Sequence, residues 1–149
     1  MTTVILFGAT GKTGLALSKL IIKNDMELFA AARTETDRKY LESLGANTFI
    51  ADALHPNQIL ESMRNVHGGS IVISLVGGSS KGTGVRADYL GNKNIIEAAV
   101  TSGLKRFIFV TSIGSGESRH ELPDVVKPFL GPIAAEKTKA ENVLRETDL

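Results

Sequence analysis

The residues best suited to chemistry sit just past the first apolar run, in Gly8-Ala9-Thr10-Gly11-Lys12-Thr13-Gly14. A diphosphate needs backbone N–H groups aimed at it and no side chain in its way. A helix N-terminus supplies those donors together with a partial positive charge. Glycine at 8 and 11 removes the Cβ atoms that would hold phosphate oxygens off, and Gly14 lets a helix lie close to a sheet. Glycines also serve plain tight turns; here the triplet separates an apolar run from a helical pattern, the setting that a dinucleotide loop requires. The ending Gly-Lys-Ser/Thr at four-residue spacing is missing, so this is not a P-loop. Thr10, Lys12 and Thr13 add donors and charge around the same turn.

A second set of polar groups follows the next apolar run, in Ala31-Ala32-Arg33-Thr34-Glu35. A carboxylate at the end of that strand would accept from a ribose 2′-hydroxyl and select NAD. The residue there is Arg33, whose guanidinium suits a 2′-phosphate and favours NADP(H). Thr34 offers one more hydroxyl, and Glu35 lies one position too far on. The competing reading leaves Arg33 solvated at a strand end. Thr111-Ser112 closes the last apolar run. A hydroxyl there could hold a substrate carbonyl as charge develops, or could bond its own turn. His55 and His67 are isolated near helix ends. His120 lies in a long connection, where a surface position competes with a place in the pocket. No histidine–carboxylate cluster has metal-ligand spacing, so no metal is assigned. No Gly-x-Ser-x-Gly elbow appears.

Something must position these groups, and the hydropathy pattern supplies it. Residues 4–7, 28–32, 48–51, 71–76 and 106–111 read as short strands, mostly apolar at consecutive positions, as in a parallel sheet covered on both faces. Helical periods fall between them: Leu17, Leu20 and Ile21; Ile95, Ala98 and Ala99; Ala140, Val143 and Leu144. His55-Pro56 marks a helix start, and Gly45 and Gly103 mark helix ends. The alternation predicts a doubly wound α/β sheet with right-handed crossovers, whose ligands bind outside the carboxyl ends of the strands. Seven of the 15 glycines lie in residues 68–91, predicting a flexible connection. Residues 114–132 hold three of the four prolines and no long helical period, which suits a wall or lid over a pocket.

Composition narrows the function. At 149 residues the chain is one domain. A net charge of +1 gives no field for a nucleic-acid backbone or an anionic membrane, and 5% aromatic residues give no row of base-stacking rings. No apolar run approaches a bilayer span, and the first residues lack a basic leader and cleavage site. With no cysteine there is no disulfide framework or thiolate chemistry, and a cytoplasmic location is expected. Composition points to a small-molecule or protein partner.

The glycine spacing resembles the atypical short-chain dehydrogenase/reductase superfamily, in particular its NAD(P)H-binding branch with NmrA-like and biliverdin reductase B/flavin reductase-like proteins. The resemblance runs on through Ala51-Asp52-Ala53-Leu54, Ile73-Ser74-Leu75-Val76-Gly77, residues 105–112 and Lys137-x-x-x-Glu141-x-x-Leu144. It implies a Rossmann fold with five strands in the order 3-2-1-4-5. It places Asp52 and the Ala53 backbone by the adenine, although Asp52 also suits a helix cap or turn. It places Leu75, Val76 and Gly77 by the nicotinamide ribose. The superfamily's usual acid is the tyrosine of a Tyr-x-x-x-Lys pair; Lys137 matches the lysine, but Ile133 stands for the tyrosine. Lys137 could touch the ribose or be an exposed helix lysine.

Relatives continue into a sixth strand, so residues 1–149 are expected to be a C-terminally incomplete NAD(P)-binding domain. The alternative is that a partner copy covers the fifth-strand edge. The function implied is an NADPH-dependent oxidoreductase passing hydride to a small carbonyl, quinone, flavin or tetrapyrrole-like acceptor, with Ser112 and Lys137 nearest the chemistry. A non-catalytic NADP(H)-binding regulator of the NmrA kind is the alternative, favoured by Ile133. A sugar epimerase or dehydratase ranks lower, because that chemistry leans on the absent tyrosine.

Overall fold

A computed structural model describes residues 1–64, 66, 70–78 and 84–149. His67 and three glycines of the expected flexible connection (Gly68, Gly69 and Gly82) lie outside the described residues. Five strands form one parallel sheet: β1 (Thr3–Phe7), β2 (Glu27–Ala32), β3 (Asn47–Ile50), β4 (Ile71–Ser74) and β5 (Arg106–Phe109). The spatial order is β3-β2-β1-β4-β5, the expected Rossmann order, with the switch point between β1 and β4. The helices are α1 (Lys12–Lys23), α2 (Glu35–Ser43), α3 (Pro56–Met63), α4 (Leu90–Thr101) and α5 (Lys127–Arg145). No helix among the described residues is long and apolar enough to cross a membrane.

The consecutive apolar residues of β1 are explained by two cores. Ile5 and Phe7 join Ile59, Met63, Ile95 and Ala99 on the face of α3 and α4. Val4 and Leu6 join Ile21, Leu28 and Leu41 on the face of α1 and α2. Each strand residue alternates faces, so a strand covered twice is apolar throughout. The edge strands depart from this expectation. In β5 the inner face carries Phe107 and Phe109, while Ile108 remains 44% exposed on the other.

The strands also end earlier than the apolar runs. Leu75 and Val76 continue past β4, and Val110 and Thr111 past β5, as extended chain outside the ladder. One main-chain bond persists on each side: Leu75 N–H donates to Phe7 O at 3.0 Å, and Val110 N–H to Ser74 O at 3.0 Å. Leu75 and Val76 still pack against the two cores, whereas Val110 is 45% exposed. The segment 114–132 departs further. It holds a 3-10 helix (Gly116–Glu121), and α5 already begins at Lys127. Pro128 sits in the first turn of α5, where a missing N–H costs nothing, and Pro132 lies inside the helix. Proline and glycine hid this helix start from a reading of apolar periodicity.

One contact welds the first turn to the sheet. A Cβ on Gly14 would collide with Gly8 O and lie 2.9 Å from the Ala9 backbone. Both obstacles are main chain and cannot swing aside. Gly14→Ala is therefore expected to destabilise the fold by about 3 kcal/mol, read as a lowered urea midpoint at unchanged slope. Equal midpoints for variant and parent would contradict this contact.

Candidate functional site

The carboxyl ends of β1, β2 and β4 open onto one cleft. It encloses about 200 Å³, widening to about 820 Å³ with its solvent-open mouth. Its lining brings together Gly8, Thr10, Gly11, Arg33, Asp52, Ala53, Leu75, Val76 and Gly77 from the sequence expectation, with Phe7, Ala31, Leu54, Gly78 and Ala87 beside them. Residues from four separate loops thus converge, as a ligand at a topological switch point requires.

The glycine turn forms one wall. Gly8 has φ +83°, and a Cβ there would lie 3.0 Å from the Leu75 carbonyl carbon, so the turn demands glycine. Gly11 is different. It caps α1 with φ −67° and ψ 165°, a conformation open to any residue, and a Cβ would meet only Gly8 O at 3.5 Å. The fold itself leaves room for a side chain at 11, a residue that lines the cleft. Gly11 brings no side-chain cap, and the first turn of α1 has no acidic residue. The leading amides of α1, around Lys12 and Thr13, therefore carry the uncompensated partial charge of a helix start.

Arg33 ends the β2 side of the cleft. It is exposed, and among the described residues it has no hydrogen bond or ion pair. Thr34 turns out to be engaged. Its hydroxyl accepts from Asp37 N–H at 3.1 Å and donates to the Asp37 carboxylate at 2.8 Å, capping α2. It is therefore not the free donor that its position suggested. Glu35 is drawn into the first turn of α2, 3.6 Å from Arg38. Asp52 takes the turn role: its carboxylate accepts from Leu54 N–H at 2.9 Å, while its own N–H donates to Gln58 at 2.9 Å.

The β4 side is braced from behind by residues that sequence reading missed. Asn92, fully buried in α4, donates to Val76 O at 3.0 Å and accepts from the Ser74 hydroxyl at 2.6 Å. Asn94 donates to Ala53 O at 2.8 Å, so one helix holds two loops of the cleft. Asp88, 1% exposed, accepts from Gly78 N–H at 3.2 Å and from Arg86 at 2.8 and 2.9 Å. The available signal was Asn92 and Asn94 near the start of an otherwise largely apolar helix.

The remaining expected residues lie outside the cleft lining. Thr111 and Ser112 follow β5, both half-buried. The Ser112 hydroxyl bonds within its own turn, to Ile113 O at 3.2 Å and the Ser115 hydroxyl at 3.3 Å. Lys137 is not an exposed helix lysine: it is 5% exposed, and its Nζ donates to Val76 O. Burial pushes its pKa down, with Asp88 opposing. Ile133 is half-buried on the same helix, one turn earlier.

Comparison with known proteins agrees with this geometry. The NAD(P)H-binding family description matches residues 8–149. ChuY, an anaerobilin reductase of Escherichia coli O157:H7, superposes with a TM-score of 0.89 at 30% identity, over 99% of this chain and 69% of that one. The Bacillus subtilis protein YhfK, described as an uncharacterized sugar epimerase, is 31% identical over 132 residues, which is 85% of this chain. The chloroplastic protein TIC 62 of Arabidopsis thaliana is 26% identical over 98% of this chain. The chain spans 59% of YhfK and 25% of TIC 62. The glycine turn, the parallel sheet and the matched residues lead to one conclusion: the chain belongs to the NAD(P)H-binding family, within the atypical short-chain dehydrogenase/reductases.

Proposed function

We propose that the chain binds NADPH in preference to NADH and acts as a reductase on a small carbonyl, quinone, flavin or tetrapyrrole-like acceptor. The observation that carries this reading is Gly11, which lines the cleft at the start of α1 although neither its backbone nor its surroundings require glycine. The amides around Lys12 and Thr13 would hold the diphosphate, with Gly8 and Gly11 keeping side chains away and Thr10 beside them. Arg33, unpaired at the β2 end, would take the 2′-phosphate, with Lys12 adding charge. Asp52 and Ala53 would border the adenine, and Leu75, Val76 and Gly77 the nicotinamide ribose. When bound, NADPH supplies a hydride. Ser112, beside Thr111 at the end of β5, would steady the acceptor through its hydroxyl, which has only weak turn bonds to give up. The proton would come from solvent, since Ile133 has none to give.

Ile133 also favours a second reading, a non-catalytic NADP(H)-binding regulator in which cofactor occupancy changes a protein-binding surface. NADPH oxidation followed by absorbance separates the two, using quinones, flavins, tetrapyrroles and aldehydes as acceptors. Turnover with any class supports the reductase, and tight NADPH binding without turnover supports the regulator. The same proposal places the protein in the cytoplasm, and has the outer edge of β5 covered either by a sixth strand that continues the chain or by a second copy. A monomeric mass by light scattering would reject the second copy.

Two substitutions test the cofactor assignment. Arg33→Ala should weaken NADPH by about 30-fold and change NADH by less than about threefold, measured by calorimetric titration. Equal losses for both would remove Arg33 from the 2′-phosphate. Gly11→Ala should keep stability within about 1 kcal/mol, because its backbone suits alanine. Its affinity for both dinucleotides should fall by about tenfold or more, through the methyl group facing the diphosphate. Unchanged affinity would detach the glycine turn from nucleotide binding.

A further inference from the structure

A second hollow, of about 890 Å³, lies between α5 and the 3-10 helix at Gly116–Glu121. It shares no lining residue with the cleft at the strand ends. The α5 residues in its wall are Lys127, Gly131, Ala134, Ala135 and Thr138. At about 100° per residue they stand roughly 60° to 160° round the helix axis from Lys137, the residue that reaches Val76 O. The hollow therefore opens on a different flank of α5 from the one that meets the cleft.

Charge is sorted by sign around it. Residues 114–127 carry Arg119, His120 and Lys127 together with Glu117, Glu121 and Asp124. All three bases line the hollow, and none of the three acids does. The Arg119 and His120 side chains have no hydrogen bond or ion pair among the described residues. Lys127 pairs with Asp124 at 2.5 Å, but that carboxylate is 94% exposed, and an ion pair at the surface holds its partners weakly. Like charges gathered round one space repel each other, and a bound anion removes that cost.

The floor is apolar and the walls are fixed. Leu122 and Ala134 are buried in it. Gly131 precedes Pro132, a place where a helix disfavours a Cβ, and a Cβ there would meet nothing within 4 Å. The floor is bare at 131 for a backbone reason, and the space above it stays open. Gly114 N–H donates to the Ser118 hydroxyl at 3.0 Å, Gly116 N–H to the Thr138 hydroxyl at 2.9 Å, and that hydroxyl to Ala134 O at 2.7 Å. The wall bearing Arg119 and His120 is thereby tied to α5. A space of this size, with an apolar floor and a few convergent polar groups, has the make-up of a small-molecule site.

We propose that this hollow is a second small-molecule site, for an organic carboxylate with a flat apolar body. The Arg119 guanidinium takes the carboxylate through two parallel N–H donors, the geometry that a carboxylate matches. His120 and Lys127 add donors beside it. The body lies on Leu122, Ala134 and Ala135, a floor that a small inorganic anion would leave unused. The site is a property of residues 114–138 and needs no dinucleotide, so the fate of the NADPH reading does not decide it.

The test uses 1-naphthoate and its neutral counterpart 1-naphthalenemethanol, titrated into the 149-residue chain by calorimetry and followed by amide chemical shifts. Naphthoate should bind at least about tenfold more tightly than the alcohol, and Arg119→Gln should remove about that factor. The shifts should centre on Arg119, His120, Gly131 and Ala135. Ala135→Leu, at an exposed helix position, should fill the hollow, weaken naphthoate by about tenfold or more and leave the melting temperature unchanged. If that variant does not fold, Arg119→Gln, a change at an exposed side chain, decides alone. Absence of naphthoate binding would overturn the proposal, as would equal affinity for acid and alcohol or full affinity in Arg119→Gln. Shifts centred on residues 8–14 would put the probe in the dinucleotide cleft and overturn it too.

Discussion

The approach of main chain to main chain between the glycine turn and α1 is the constraint on which everything else depends. With only a hydrogen at Gly14, the helix start lies directly on Gly8 and Ala9. That closeness brings the leading amides of α1 to the mouth of the sheet, at the point where strand order reverses. A side chain at 14 would push the helix outward and carry its charged end away from the cleft. Packing and electrostatics are thus set by the same missing carbon atom, and the cleft exists where it does because of it.

The opposite wall is built by other means. Beyond Leu75 and Val110, whose amides make the last bonds to neighbouring strands, side chains take over from the sheet. Asn92 and Lys137 both donate to the Val76 carbonyl, and Asp88 receives the Gly78 amide. These bonds come from α4 and α5, elements that lie far from residue 76 in sequence. One wall is a local consequence of glycine, and the other is a long-range consequence of tertiary packing.

That difference explains what was legible in the sequence. The glycine turn, the alternation of strands and helices and the place of Arg33 after β2 could be read because each depends on nearby residues or on the rhythm of apolar runs, while the strand order followed from the family resemblance. Asp88, Asn92 and Asn94 could not, since most of their partners are backbone atoms that carry no mark in the sequence. Lys137 was visible as a candidate, but its burial against two carbonyls was not. The start of α5 was concealed by Pro128 and Pro132, which are breakers in the abstract and acceptable in the place they occupy. The one-sided cover of β5 was missed because Phe107, Ile108 and Phe109 read alike until their faces are known.

The capping of α2 bears on how this cleft could drift over evolutionary time. Thr34 is committed to Asp37, and losing that cap would cost the helix about 1 kcal/mol. Arg33, next to it, has no hydrogen bond or ion pair among the described residues. Mutational freedom at this rim is therefore greatest at position 33, where an exchange leaves the helix cap intact.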